Sequence, residues 1–281
     1  MKSPLSRFLY WIEERHKIHL KRQAGEPPPW TKDPVLQSVF FTNPYRENDK
    51  TTVWFRENVR DPLRDDERVL AATVIFRWFN RISTGELLLE EGLLHDWDED
   101  AAIDLLEEAP KPVFTGAFMI KAGNGPPGCK IPNVCKSITE VIQYEPHFLE
   151  VALNEQRLEA LWKEFKSCRN LGGFMSYEIV CDLRYTYLLE NATDINTWAN
   201  PGPGALRGLL RLDGGKPKGR AAKVDQPLEK MAHLLKVVRK KLGRRMPRFE
   251  LREIEHSLCE FDKYERARTG EGKLKRKYNA K

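Results

Sequence analysis

Apolar residues recur along this chain mostly at helical spacing, and proline or glycine marks the breaks between runs. The first run, SRFLYWIEERHKIHLKRQAG, places Phe8, Trp11, Ile12 and Ile18 at near-helical intervals and stops at Gly25, a residue suited to a helix C-terminus. Prolines then force EPPPWTKDP into an extended strip. RENDKTTVWFRENVR and DDERVLAATVIFRWFNRI predict two more helices, the second with acids in its first turn, where they favour the helix dipole. STGELLLEEGLL and DEDAAIDLLEEA continue the pattern, whereas the glycines and prolines of FTGAFMIKAGNGPPGCKIPN predict a loop or short extended segment. Periodicity returns from Ser137 through SITEVIQYEPHFLEVAL, EQRLEALWKEFKSC, GGFMSYEIVCDLRYT and ANPGPGALRGLLRL. It closes with LEKMAHLLKVVRKKLG and FELREIEHSLCEFDKYERA. Long strictly alternating segments and fixed-period repeats are missing, so the expected class is mainly α. The expected organisation is a single helical domain of two lobes, about 1–135 and 136–281. A basic polar loop is expected near 213–226 and a polar tail from 268.

Composition refines this picture. At 281 residues, 41% hydrophobic and 31% charged, the chain can bury a proper core. Its net charge of +6 is unevenly placed, with Lys and Arg dense between Gly214 and Arg248 and again in GEGKLKRKYNAK. Such clusters suit a polyanion, the other reading being plain solvated surface. Five cysteines, an odd count without any CxxC, argue against a disulfide framework and for a reducing cytoplasm. Cys129 and Cys135 alone do not complete a zinc site, and no group of four close thiolates offers an iron–sulfur ligand set. No metal and no cofactor is therefore expected. No apolar stretch approaches the ~20 residues of a membrane span, and the first residues do not read as a signal peptide. The expected location is cytoplasmic.

Several chemistries drop out. GGKPKG and TGEGK lack both the spacing and the hydroxyl residue of a phosphate-binding P-loop, no GxGxxG follows a strand, and neither HExxH nor GxSxG occurs. The stretch NLGGFMSYEIV has the form of helix, glycine turn and helix, which exposes backbone N–H groups able to hold a DNA phosphate, with Gly172 and Gly173 in the turn. About thirty residues on, NPGPGALRGLLRL supplies a second helix start with Gly204 and Arg207. The pair resembles the helix-hairpin-helix DNA glycosylases, whose second turn carries a catalytic aspartate. Here that place reads Trp198, Ala199, Asn200 and Pro201, with no carboxylate, so simple aspartate-supported glycosidic cleavage is not expected.

A more specific resemblance follows. ERHKIHLKRQAGEPPPWTKDPVL, FTNPYRENDKTT, FTGAF, GGFMSYEIVCDLRYT, TWANPGPGALRGL and EIEHSLCEFDKYERARTGEGKLKRKY together resemble the α-glutamyl/putrescinyl thymine pyrophosphorylase family. That family is also met as the helical domain of 5-hydroxymethyl-deoxyuridine DNA kinases, and the likeness runs from about Tyr10 to Tyr278. It implies a mainly α, glycosylase-like helical bundle, encoded largely by bacteriophages and so at work in the host cytoplasm. It also implies a transferase in thymine hypermodification. A P-loop kinase first places pyrophosphate on the 5-hydroxymethyl group of the base in DNA, and the helical protein replaces it with an amine or amino acid such as glycine or putrescine. The implied partners are double-stranded DNA bearing modified pyrimidines and an amino acid or polyamine co-substrate, with no membrane.

That reaction makes physical demands that the residues can be held against. The nucleotide must be flipped and stacked, the departing pyrophosphate neutralised by Arg or Lys, and the attacking amine relieved of a proton. Tyr177, Asp182, Arg184 and Tyr185 lie on or just beyond the helix after the first glycine turn. Arg184 is expected at the pyrophosphate and Asp182 in proton handling or in orienting an arginine, the other reading of Asp182 being a bundle salt bridge. Tyr177 and Asn200 complete the expected catalytic set. Arg15 and Lys17, in a basic strip with His16, His19, Lys21 and Arg22, are candidates for phosphate. Asn43 and Arg46 of FTNPYREND, beside Asp49, are expected to line the site or else to cap a helix. Trp30 and Trp198 are candidates for stacking on a base, and Lys263, near Asp262 and Arg266, either returns to the site or braces the first helix. Two other functions stay open: a DNA-binding scaffold without chemistry, and a glycosylase using Asp194 or Asp182.

Overall fold

A computed structural model describes residues 3–121, 126, 128–217, 219 and 222–271. The expected tail beyond Glu271 and part of the loop around 122–127 lie outside the described residues. Every regular element among the described residues is helical. Along the chain run α1 (Pro4–Gln23), α2 (Pro34–Ser38), α3 (Lys50–Phe55), α4 (Val69–Phe79), α5 (Ile82–Glu90), α6 (Glu99–Glu108) and α7 (Lys130–Ile142). They continue with α8 (Glu145–Glu155), α9 (Leu158–Ser167), α10 (Gly173–Leu183), α11 (Pro203–Leu212), α12 (Pro227–Leu242) and α13 (Leu251–Thr269). The chain divides into two compact units, residues 1–49 with 195–281 and residues 50–194. The expected boundary near residue 135 falls inside the second of these.

The first unit is built around the pairing of α11 and α13. Gly204 and Gly208 on α11 let the two helices touch: a Cβ at Gly204 would lie 2.3 Å from Cys259 Sγ, and one at Gly208 would lie 2.3 Å from the Leu258 carbonyl oxygen. Helix α1 lays Phe8, Trp11 and Ile12 into the same core, with the Phe8 ring edge-on to Phe261 at 5.3 Å. Polar ties hold the arrangement. Arg7 pairs with Glu265 at 2.8 Å, and the Tyr264 hydroxyl donates to Asp33 Oδ2 at 2.8 Å. Helix α13 opens with a reciprocal capping box between Glu250 and Glu253.

The second unit is centred on α4, where every residue except Ala71 is buried. A helix apolar all round belongs inside, and α4 packs against α10, α7, α8 and α5. Phe55 stacks on Phe76 at 4.6 Å, and Arg77, itself buried, passes across the faces of both rings. Helix α3 runs on into a π-helical turn over Arg56–Arg60, which buries Arg60.

Lys130–Asn133, expected in the glycine- and proline-rich loop, already belong to α7, and three other boundaries differ from expectation for local reasons. The acids before α4 are not in its first turn: Asp66 takes the Arg68 amide at 2.9 Å in a preceding turn, and the helix starts at Val69. The run 46–60 is broken because Asp49 accepts from both the backbone and the side chain of Asn43, closing a 3-10 turn over Arg46–Asn48. The run 137–153 is two helices, since Pro146 lacks the amide a continuous helix needs and sits instead in the first turn of α8.

Candidate functional site

In the first unit, residues from three separate stretches converge on His256. The α13 side chains Glu253, His256, Glu260 and Lys263 follow one another at three- and four-residue intervals, so they share a helix face. Opposite lies the irregular segment Phe41–Asp49, which cannot be helical at its start because Pro44 and the Asn43–Asp49 bonds fix it as a turn. The Thr42 hydroxyl and His256 Nε2 share a hydrogen bond of 2.8 Å, and the Thr42 amide donates to Glu260 Oε2 at 3.1 Å. Lys263 pairs with the same Glu260 oxygen at 3.4 Å and lies 4.9 Å from the Phe41 ring centre. The backbone of Asn43 also bonds His256. Arg15, buried on α1, donates from Nε to the Phe41 carbonyl at 3.2 Å.

The electrostatics follow from crowding. Burial, then Arg46 and Arg252, hold the His256 imidazole well below its usual range, so it is neutral at physiological pH. Burial raises the Asp49 carboxyl, opposed by Arg46 at 3.6 Å, by the Asn43 bonds and by Arg15. Burial also lifts Glu253 to about 7, against the pull of Arg252. Asn43 directs its amide nitrogen to Asn48 O and Asp49 Oδ1, while its own Oδ1 is buried and accepts no hydrogen bond. The result is a neutral base, a carboxyl that titrates near neutrality and an open acceptor, set among Arg15, Arg46, Arg252 and Lys263. Pairs of titratable groups pushed apart in this way mark candidate acid–base sites.

Arg15 and Phe41 also line a cavity of about 180 Å³, together with Ile18, Trp30, Leu36 and Phe40. Trp30 is held there by its indole N–H, which donates to Glu26 O at 2.6 Å, and by Arg22 over its ring at 5.3 Å. The basic strip of α1 is thus divided. Arg15 and His16 turn inward, whereas Lys17 is exposed and pairs with Glu13.

The remaining expected residues of this unit lie elsewhere in it. Trp198 is buried and Asn200 half-buried ahead of α11. The Gly202 amide at that helix start already donates to Glu255 Oε1 at 3.2 Å. Arg207 is turned to Asp262 at 2.8 Å. Gly204 faces Cys259, where its missing side chain serves helix packing.

Gly172, Gly173, Tyr177, Asp182, Arg184 and Tyr185 belong to the second unit. Gly172 and Gly173 open α10, and the Gly173 carbonyl accepts from the Trp162 indole at 2.9 Å. Tyr177 and Asp182 are buried. Asp182 is gripped by Arg77 through both its oxygens, with Arg60 at 3.8 Å, and Arg77 is in turn oriented by Asn80. That is the salt-bridge reading of this residue. Arg184 and Arg60 flank the Tyr185 ring at 5.3 and 4.7 Å, and Arg184 donates to Glu190 O. Asp194 is buried and caps α9 from a distance by accepting the Leu158 and Glu159 amides.

Sequence reasoning named Arg15, Trp30, Asn43, Arg46 and Lys263 but passed over His256, Glu253 and Thr42. The signal for Glu253 and His256 is the polar stripe on α13, which reads like an ordinary solvated face until the 41–49 segment, with Thr42, covers it.

The family described as the helical domain of 5-hmdU DNA kinase matches residues 2–274. A 5-hmdU DNA kinase of Bacillus phage SP10 is 28% identical over 226 residues, which is 72% of this chain and 35% of that protein. The chain thus spans about a third of the length of this curated relative. No solved structure matches. Because the match takes in both compact units and every segment that builds the His256 cluster, the chain belongs to the 5-hmdU DNA kinase helical-domain family.

Proposed function

We propose that this chain performs a transfer step in the hypermodification of thymine in DNA. The substrate is duplex DNA carrying pyrophosphorylated 5-hydroxymethyluracil, and an amine or amino acid such as glycine or putrescine displaces the pyrophosphate. The bond from the methylene carbon to oxygen breaks, a carbon–nitrogen bond forms, and one proton leaves the amine. A fold can serve many reactions, so the reading rests on the site. Its carrying observation is the convergence of Thr42, Asn43, Arg46 and Lys263 on a neutral His256, with Arg15 behind them at the Phe41 carbonyl.

Each part has a task in that reaction. His256 accepts the amine proton, which an imidazolium could not do. Arg46 and Lys263 neutralise the departing diphosphate. The cavity beside Trp30 and Phe41 is of a size for one six-membered ring, since a cavity of ~150 Å³ holds benzene. The flipped base stacks there. In the second unit, the half-buried Arg184 beside Tyr185 is a candidate contact for a DNA phosphate.

The test is nucleoside mass spectrometry after mixing the protein with pyrophosphorylated DNA and glycine or putrescine. Amine-bearing thymidine is the expected product. His256→Asn should lower kcat by about 10²–10⁴ and Arg46→Ala by about 10²–10³, with DNA affinity nearly kept. Abasic sites would instead reveal a glycosylase, though Asp182 and Asp194 are already engaged in an ion pair and a helix cap. Unchanged bases with firm binding would favour a second reading, a DNA-holding domain that serves a kinase. The name of the phage SP10 relative and its greater length speak for that reading.

A further inference from the structure

A second cationic site lies in the first unit, on the side of α13 that carries Asp262. Asp262 is fully buried and draws in three guanidinium groups: Arg207 Nε at 2.8 Å, Arg211 Nε at 2.8 Å and Arg266 Nε at 3.3 Å. These three side chains line a concave bowl of about 520 Å³, bounded also by Pro203 and Pro217. Arg268 and Lys216 add to the positive field, since Arg268 acts on Arg211 and Lys216 on Glu271. Nearby Glu265 is itself committed to Arg7 and Arg268.

One group already occupies the bowl. Glu271 reaches in just past the left-handed Gly270 cap of α13, and its carboxylate pairs with Arg211 Nη2 at 2.7 Å. Thr269 Oγ1 steadies it at 3.0 Å, and its side chain is 44% exposed. A carboxylate that bridges to an arginine cluster from an exposed tether stands where phosphate oxygens would sit, and an incoming phosphate can displace it at little cost.

We propose that the Arg207–Arg211–Arg266 bowl is a phosphate-binding site with Glu271 as its built-in competitor. Asp262 presets the three guanidinium planes, so the ligand meets arginines that have little conformational freedom left to lose. The ligand class is a phosphodiester or an inorganic oligophosphate, recognised by charge and by the fork geometry of arginine. Nothing here depends on His256 or on transfer to a base, so the site stands or falls separately from the reaction proposed above.

The experiment uses the full chain and two probes, inorganic pyrophosphate by calorimetry and an unmodified duplex of ~20 base pairs by anisotropy. Glu271→Gln removes an exposed charge without risk to the fold and should tighten binding of at least one probe about threefold to tenfold. Arg266→Ala, which leaves Asp262 two arginines, should weaken the same probe about tenfold. For DNA, it should also cut the slope of log K against log salt by about 0.9. Effects on pyrophosphate alone assign the bowl to the free anion; effects on the duplex assign it to backbone phosphate. If both variants melt like the parent and bind both probes within twofold of it, the proposal is wrong.

Discussion

Glu253 and Asp182 are both buried carboxylates, yet their surroundings are opposite in character. Asp182 is surrounded by cationic donors, two nitrogens of Arg77 and the nearby Arg60, which make it the anchor of its unit. At Glu253 burial dominates over Arg252 at 3.7 Å and the Glu250 amide, lifting it to about 7. In the unfolded chain its carboxyl titrates near ~4.3. Between those values the folded protein holds a proton that the unfolded chain has released, so the Glu253 contribution to stability falls as pH rises through that window. The full swing is on the order of 3 kcal/mol. Glu253→Gln, which still fits the N3 place of the capping box, removes this dependence. We expect the variant to equal its parent near pH 4 and to exceed it by about 2–3 kcal/mol at pH 8 in urea unfolding. His256 works the other way. Held neutral when folded, it costs stability as pH drops below the unfolded value near ~6.5, equally in parent and variant, so their difference isolates Glu253.

At the scale of elements, glycine has two different uses in this chain. Gly208 lets α11 approach α13, and an added Cβ would meet the Leu258 backbone carbonyl at 2.3 Å, an atom that cannot swing aside. Gly172, ahead of α10, has open space where a Cβ would stand and an ordinary extended backbone. Thermal unfolding should therefore separate them. Gly208→Ala should lose about 2 kcal/mol or more, as overpacking does, whereas Gly172→Ala should stay within about 0.5 kcal/mol. Glycine turns looked like phosphate grips in the sequence, yet Gly204 and Gly208 serve steric fit and the Gly202 amide is met by Glu255. Helix positions were legible because apolar spacing reports the buried face, as at Phe8, Trp11 and Ile12. Helix ends were less so, because Asp49 and Asp66 stop them with side-chain bonds that periodicity does not register. The site was half legible. Arg15, Asn43, Arg46 and Lys263 sit in motifs, but the state of His256 depends on segments that sequence distance keeps apart and folding brings together.

At the scale of the whole molecule, the units each have a core of their own, and their stabilities need not be one quantity. No helix among the described residues is long and apolar enough to cross a membrane, and each unit buries apolar side chains of its own. In residues 50–194 the polar centre of that core is the ion pair of Asp182 with Arg77, both essentially inaccessible to water. Asp182→Asn takes from the buried Arg77 its paired carboxylate, and breaking such a pair from one side costs about 3–5 kcal/mol. Hydrogen exchange can show where that cost falls. Amides of α4 and α10 should exchange about a hundredfold faster or more in the variant, because local opening tracks the lost free energy. Amides of α11 and α13 belong to the other unit, whose core of Phe8, Leu258 and Phe261 does not contain the pair, and should keep their protection. Equal acceleration in α11 and α13 would mean that the two units unfold as one cooperative body. In that case a stability change anywhere in the chain would reach the His256 cluster, and variants of Asp182 would lose any activity of that cluster through unfolding rather than through chemistry.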